Sequence, residues 1–423
     1  MKMKITLFLG IIALFFPIHT IKAVNVPITG GDEHTLAIRD DGTVWAWGTN
    51  DSGQLGNGKT EDSNRPVQVF GLKNVTAIKG GASHSIALGS DASVWGWGDN
   101  SYGQLGDDEV ENSTKPIQVS DFYITAIAAG LYHTVLLKAD KTVWSCGSNM
   151  FGQLGIGTTE DSAELIQISG FKNITAIASG GNHTAAIDSS GLVWTWGSNS
   201  NGQLGNGKLG GISKSPQEVS GVNSVIAIAC GGYHMIALRG DGKVWTWGSN
   251  SNGQLGNGET GGYSLEPVEV SGIGNVVAVA GGRKYTMALR NDKTVWAWGA
   301  NSQGQLGDGT TDENGVPVQV ASLDNVTAIA GGALHKIAVR NDGTIVGWGA
   351  NYNGQLGNGL SGEGSDSSEP VEAAINMFGG GLSDVIFALT AAAGMTPDMA
   401  VSDINGDGRV GIAEAVHFLR VTK

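Results

Sequence analysis

Asp403, Asn405, Asp407, Arg409, Gly411 and Glu414 occupy positions 1, 3, 5, 7, 9 and 12 of one short stretch, DINGDGRVGIAE, with Gly408 at position 6. That spacing gathers oxygens around a hard cation. Side chains serve at 1, 3 and 5, the backbone carbonyl of Arg409 at 7, a water beside Gly411, and a bidentate carboxylate at 12. The expected cofactor is Ca2+, and an Asn-Gly-rich turn is the plainer alternative. A second set of chemically capable residues is His34, His84, His133, His183, His234 and His335, with Tyr285 in the place of a seventh. A residue that recurs with a repeat serves the repeat, so these histidines read as internal hydrogen-bonding groups, not general bases. Asp41, Asp140, Asp241, Asp292 and Asp342 recur in the same way and belong to turns. No nucleophile with a base, phosphate loop or paired carboxylates carries a signature, so the expectation is a non-enzyme with no catalytic residues.

These residues sit on a repeat marked by Gly-Gln-Leu-Gly, which begins at Gly53, Gly103, Gly152, Gly202, Gly253, Gly304 and Gly354. Each unit holds four short strand-like pieces, as in VTAIK, HSIAL, SVWGW and PIQV of the second unit. Tight hairpins join the second and third pieces at Asp41-Gly42, Gly191, Asp241-Gly242 and Asp342-Gly343. Proline opens the fourth piece in six units and cannot donate to a ladder, so that strand is expected at the sheet's outer edge. All 12 tryptophans fall in the third piece, paired on alternate residues that share a face. Such pairs can wedge between neighbouring sheets, with the leucine of Gly-Gln-Leu-Gly beside them. The expected fold is all-β, a seven-bladed propeller of four-stranded antiparallel blades over residues 24–373.

The glycine doublet in GGDEHTLAI, the strand DGTVWAWG and the loop NDSGQLGNG resemble the regulator of chromosome condensation repeat family. The resemblance spans about residues 25 to 373 and implies seven blades. Its nuclear members promote nucleotide exchange on a small GTPase, its plant photoreceptor members use tryptophan–arginine packing across a dimer, and secreted bacterial members bind a partner protein with loops on one face. After a Gly-rich linker (374–381), residues 382–423 look like an EF-hand or dockerin-type module, a small α-helical calcium-binding unit. Dockerins carry two calcium loops and this chain shows one, so calcium stabilisation is expected ahead of docking onto a cohesin.

MKMK, an apolar run and Ile-Lys-Ala ending at Ala23 have the order of a secretory signal, giving a signal at 1–23 and a secreted or cell-surface protein. Cleavage there removes Lys2, Lys4 and Lys22 and no acid, taking the formal charge from −14 to −17. Such a charge disfavours nucleic acid, and no later segment could span a membrane. The repeats diverge in the turn between first and second strands and in the loop between third and fourth, which share one side of the propeller. Tyr102, Tyr132, Phe151, Tyr233 and Arg283 are therefore the expected partner-binding residues, for an extracellular protein or glycan. Two alternatives remain: an extracellular carbohydrate-active or hydrolytic enzyme with a calcium-dependent appendage, and a structural envelope protein.

Overall fold

The computed structural model describes residues 27–120 and 123–378. The expected signal and the calcium loop from Asp403 to Glu414 with its module lie outside the described residues. Strands β1 to β28 run in chain order, four to a blade. The first blade is β1 (Ile28–Gly30), β2 (His34–Ile38), β3 (Val44–Gly48) and β4 (Ser63–Gln68). The second is β5 (Val75–Gly80), β6 (His84–Gly89), β7 (Val94–Asp99) and β8 (Asn112–Ser120), and the seventh is β25 (Val326–Gly331), β26 (His335–Arg340), β27 (Thr344–Gly349) and β28 (Ser367–Asn376). Each blade is an antiparallel sheet made from one continuous segment, so no strand is exchanged between the chain ends. The proline-bearing fourth strand is the sheet edge farthest from the axis, as its missing N–H requires.

The last strand runs past the expected boundary at residue 373. Asn376 pairs with Thr344, and Ile375 and Met377 are buried with Ile28, Ala37 and Trp47 of the first blade. Two apolar side chains that cover the joint closing the ring are what carry the strand onward.

Hairpin chemistry sets the blade geometry. Asp41 accepts from the backbone N–H and the hydroxyl of Thr43 (2.9 and 2.6 Å), and Trp45 Nε1 donates to that hydroxyl (3.2 Å). The chain turns through a left-handed residue there, Gly42 at φ 75°. Asn74, Asn173 and Asn325 also take left-handed conformations, at φ 54°, 65° and 55°, immediately before their first strands. Asparagine tolerates that conformation better than most residues, which accounts for its recurrence there.

Candidate functional site

The recurring histidines form a belt between blades. His34 Nε2 lies 2.9 Å from Ser85 Oγ of the next blade, and Ser85 donates to the carbonyl of Gln54 (2.9 Å). Because the serine proton is committed to that carbonyl, the imidazole must donate from Nε2. Trp97 Nε1 donates to the same carbonyl at 2.8 Å, so the glutamine of Gly-Gln-Leu-Gly receives two bonds from the following blade. Gly56 follows closely because a Cβ there would lie 2.7 Å from Trp97 Nε1. The belt continues through His84–Thr134, His133–Thr184 and His234–Thr286, and His335–Thr35 closes it at 2.9 Å. Burial pushes the six imidazoles from 6.5 down to about 3 or 4, with neighbouring histidines adding to the shift at His34, His133 and His234. They are neutral, enclosed and committed to structure.

Two members depart from this pattern. Met235 stands where most other blades supply a hydroxyl to the preceding histidine, so His183 lacks the side-chain bond of the belt and interacts with the His234 backbone instead. In the sixth blade, Tyr285 replaces histidine and its hydroxyl points to the carbonyls of Gly332 (2.8 Å) and His335 (2.5 Å). Lys336 then stands in the threonine position of the seventh blade. It is fully buried, with Nζ 4.2 Å from the Tyr285 ring centroid, and burial lowers its pKa well below the usual lysine range.

The other candidate region surrounds the axis on the side of the first-to-second-strand turns. The Tyr102 and Tyr132 rings come within 5.2 Å at 48° although they belong to different blades. Arg283 interacts through hydrogen bonding with the Tyr233 hydroxyl and electrostatically with Asp32 and Tyr132. Asp32 is raised to about 6, chiefly by burial, which Arg283 opposes. Four of the five expected partner-binding residues thus gather around one mouth of the axial channel. Phe151 stands apart on its loop, half-buried, with its N–H bonded to Gln153 Oε1 at 2.9 Å. The mouth is braced by backbone bonds from blade to blade, including Asp32 N–H to Gly81 O, Leu131 N–H to Gly181 O and Arg283 N–H to Ala333 O.

The model of the RCC1-like domain family matches residues 15–271 and, overlapping them, 124–410. The chain belongs to this family. It is 42% identical over 91 residues to the protein RCC2 homolog of Danio rerio, covering 21% of this chain and 18% of that protein. It is 34% identical over 115 residues to the mitochondrial RCC1 domain-containing protein RUG3 of Arabidopsis thaliana, covering 24% of this chain and 26% of that one. The matched segments are thus a small part of those relatives. Prp20p of Saccharomyces cerevisiae shares the fold, with 22% identity and a TM-score of 0.70 over 80% of this chain and 87% of that one; its structure was described with its binding to Gsp1p and histones. Human WBSCR16 aligns at 25% identity and a TM-score of 0.71 over 79% of this chain and 94% of that one.

Within this RCC1-like propeller, the sequence reading passed over two lysines. Lys336 breaks a column of hydroxyl residues, and Lys79 breaks a column of small residues on the first strand. Both departures are legible once the repeats are aligned, but whether such a residue points to solvent or inward depends on packing. Among the described residues, no group of three or more His, Cys, Asp or Glu is gathered as a metal site, and no helix is long and apolar enough to cross a membrane.

Proposed function

We propose that this RCC1-like propeller is a secreted or cell-surface scaffold that holds an extracellular protein or glycan on its Tyr102–Tyr132–Tyr233–Arg283 face. The gathering of those side chains around one channel mouth carries the reading. Aromatic rings and arginine supply large contact area and directional bonds at little entropic cost, and they cluster at the centre of binding surfaces. The third-to-fourth-strand loops on this side contain Lys59 and Lys208 as their only basic residues, while one loop alone holds Asp107, Asp108, Glu109 and Glu111. That charge favours a basic docking surface on the partner and speeds its approach at low salt.

Capture from the secreting organism's culture fluid and envelope tests the reading, using wild type and a Tyr102→Ala/Tyr132→Ala/Tyr233→Ala/Arg283→Ala variant. Capture should be lost at an unchanged melting temperature; survival of capture, with loss on mutating the opposite face, would refute it. We assign the Asp403 to Glu414 loop to a single Ca2+ that orders the C-terminal module, on the strength of its ligand spacing. Calorimetric titration of the full chain should show one calcium site, absent in Asp403→Ala and Glu414→Ala.

A further inference from the structure

The seven first strands are the inner edges of their sheets and surround an axial channel of about 470 Å³. Its wall is mostly small or apolar: alanines, glycine backbone, and isoleucine or valine from the first strands. Asp32 and Arg283 stand at the mouth, and Lys79 is the charged residue on the first strands. The same position holds Thr29, Ala128, Ala178, Ala229, Ala280 and Ala330 in the other blades, so the repeat does not require a cation there. Its side chain is half-buried in the wall and has no hydrogen-bond or ion-pair partner among the described residues, and desolvation alone lowers its pKa. Ser179, on the wall two blades away, has a buried hydroxyl that is likewise unpartnered. An unpaired ammonium against low-dielectric walls is costly unless an anion neutralises it. The channel's volume lies within the range of small-molecule sites and exceeds what an inorganic ion fills.

We propose that the axial channel is a binding site for a small organic monoanion with an apolar body, its carboxylate paired to Lys79 and its body along the alanine and isoleucine wall. The channel opens at the mouth that carries Tyr233 and Arg283, but its test reads Lys79 and does not depend on the partner-face assignment. Octanoate serves as the probe, with 1-octanol as its uncharged counterpart and inorganic phosphate as an anion without an apolar body, each titrated into the full chain by calorimetry. One octanoate should bind per chain, at least tenfold more tightly than either control. Lys79→Ala, which copies five other blades and should fold, should weaken octanoate at least tenfold, while Lys79→Arg should keep it within about threefold. Equal octanoate affinity in wild type and Lys79→Ala overturns the role of the lysine. Phosphate binding as tightly as octanoate overturns the apolar body, and absence of octanoate binding at millimolar concentration overturns the site.

Discussion

The joint between the first two blades and the joint between the sixth and seventh occupy the same place in the ring with different chemistry. At the first, a neutral imidazole donates to a hydroxyl, which in turn donates a hydrogen bond to a glutamine backbone carbonyl. At the second, a phenol donates directly to backbone carbonyls and a buried lysine sits over its ring. The carbonyl of Gly-Gln-Leu-Gly still receives its tryptophan bond in both, from Trp97 and from Trp348. The element these two joints share is therefore the tryptophan–carbonyl latch, and the histidine–hydroxyl and tyrosine–lysine pairs are different ways to fill the space beside it. Tyr285 and Lys336 fit together because the phenol ring presents a face to the buried ammonium, whereas Tyr285→His would set an ionisable ring beside it.

The largest expected contrast between the two joints is in acid. The six imidazoles have folded pKa values of about 3 or 4 against 6.5 for the free side chain. Depressed values mean that the unfolded chain binds protons the folded chain refuses. Their stabilisation is complete above pH 6.5 and is lost as pH falls toward 3 to 4. Each histidine forfeits ~1.4 kcal/mol per pH unit in that window, so the six together lose on the order of 10 kcal/mol by pH 5. Asp32, raised to about 6, acts in the opposite sense but is a single group. Melting curves by circular dichroism should fall steeply between pH 6.5 and 5. A flat melting temperature over that range would show that protons reach the belt in the folded state.

Exchanging the two chemistries gives the next largest effect. Tyr285→His alone places an imidazole beside the buried Lys336 and should cost roughly 2–4 kcal/mol. Adding Lys336→Thr rebuilds the commoner joint and should return stability to within about 1 kcal/mol of wild type. The coupling measured by denaturant unfolding should then exceed about 1 kcal/mol, and simple additivity would break the claim that the two residues form a unit. Within the histidine belt, His133→Leu breaks a bond to the Thr184 side chain, whereas His183→Leu breaks no side-chain bond. The first should therefore be more destabilising by about 1 kcal/mol.

The smallest effect belongs to the hairpins on the other side of the blades. Ala92, Lys141 and Lys293 each take φ 67° where Gly42 and Gly242 stand in other blades. Replacing each by glycine should raise stability by about 1 kcal/mol, additively because the turns lie in separate blades. Gly42→Ala should lower it, since a Cβ there would also lie 2.8 Å from the Asn74 backbone.

Much of this was legible in the chain because a repeat multiplies weak local signals. Four strand-like pieces, prolines opening the fourth and tryptophans confined to the third established blade count, strand order and phase, and the structure bears these out. The histidines' internal role followed from their recurrence. The last strand continues past residue 373 to Asn376, because Ile375 and the Met377 that follows the strand serve a joint between chain ends that no single repeat contains. Tyr102, Tyr132, Tyr233 and Arg283 were picked out as divergent positions, but their meeting across blades and the separateness of Phe151 depend on closure of the ring.

The sequence by itself determined the unit: a period near fifty residues, glycines at most of the left-handed turns and close approaches to a neighbouring ring, and tryptophans in most of the gaps between sheets. These are constraints within one blade or between adjacent blades, so they are written afresh in every repeat. Tertiary structure alone decided what lies on the axis. Lys79, Asp32 and Arg283 occur once each and far apart in the chain, and only closure of seven blades into a ring turns their strand edges and turns toward a common channel. A local pattern cannot encode that convergence, because it is produced by the angle between blades summed around a full circle.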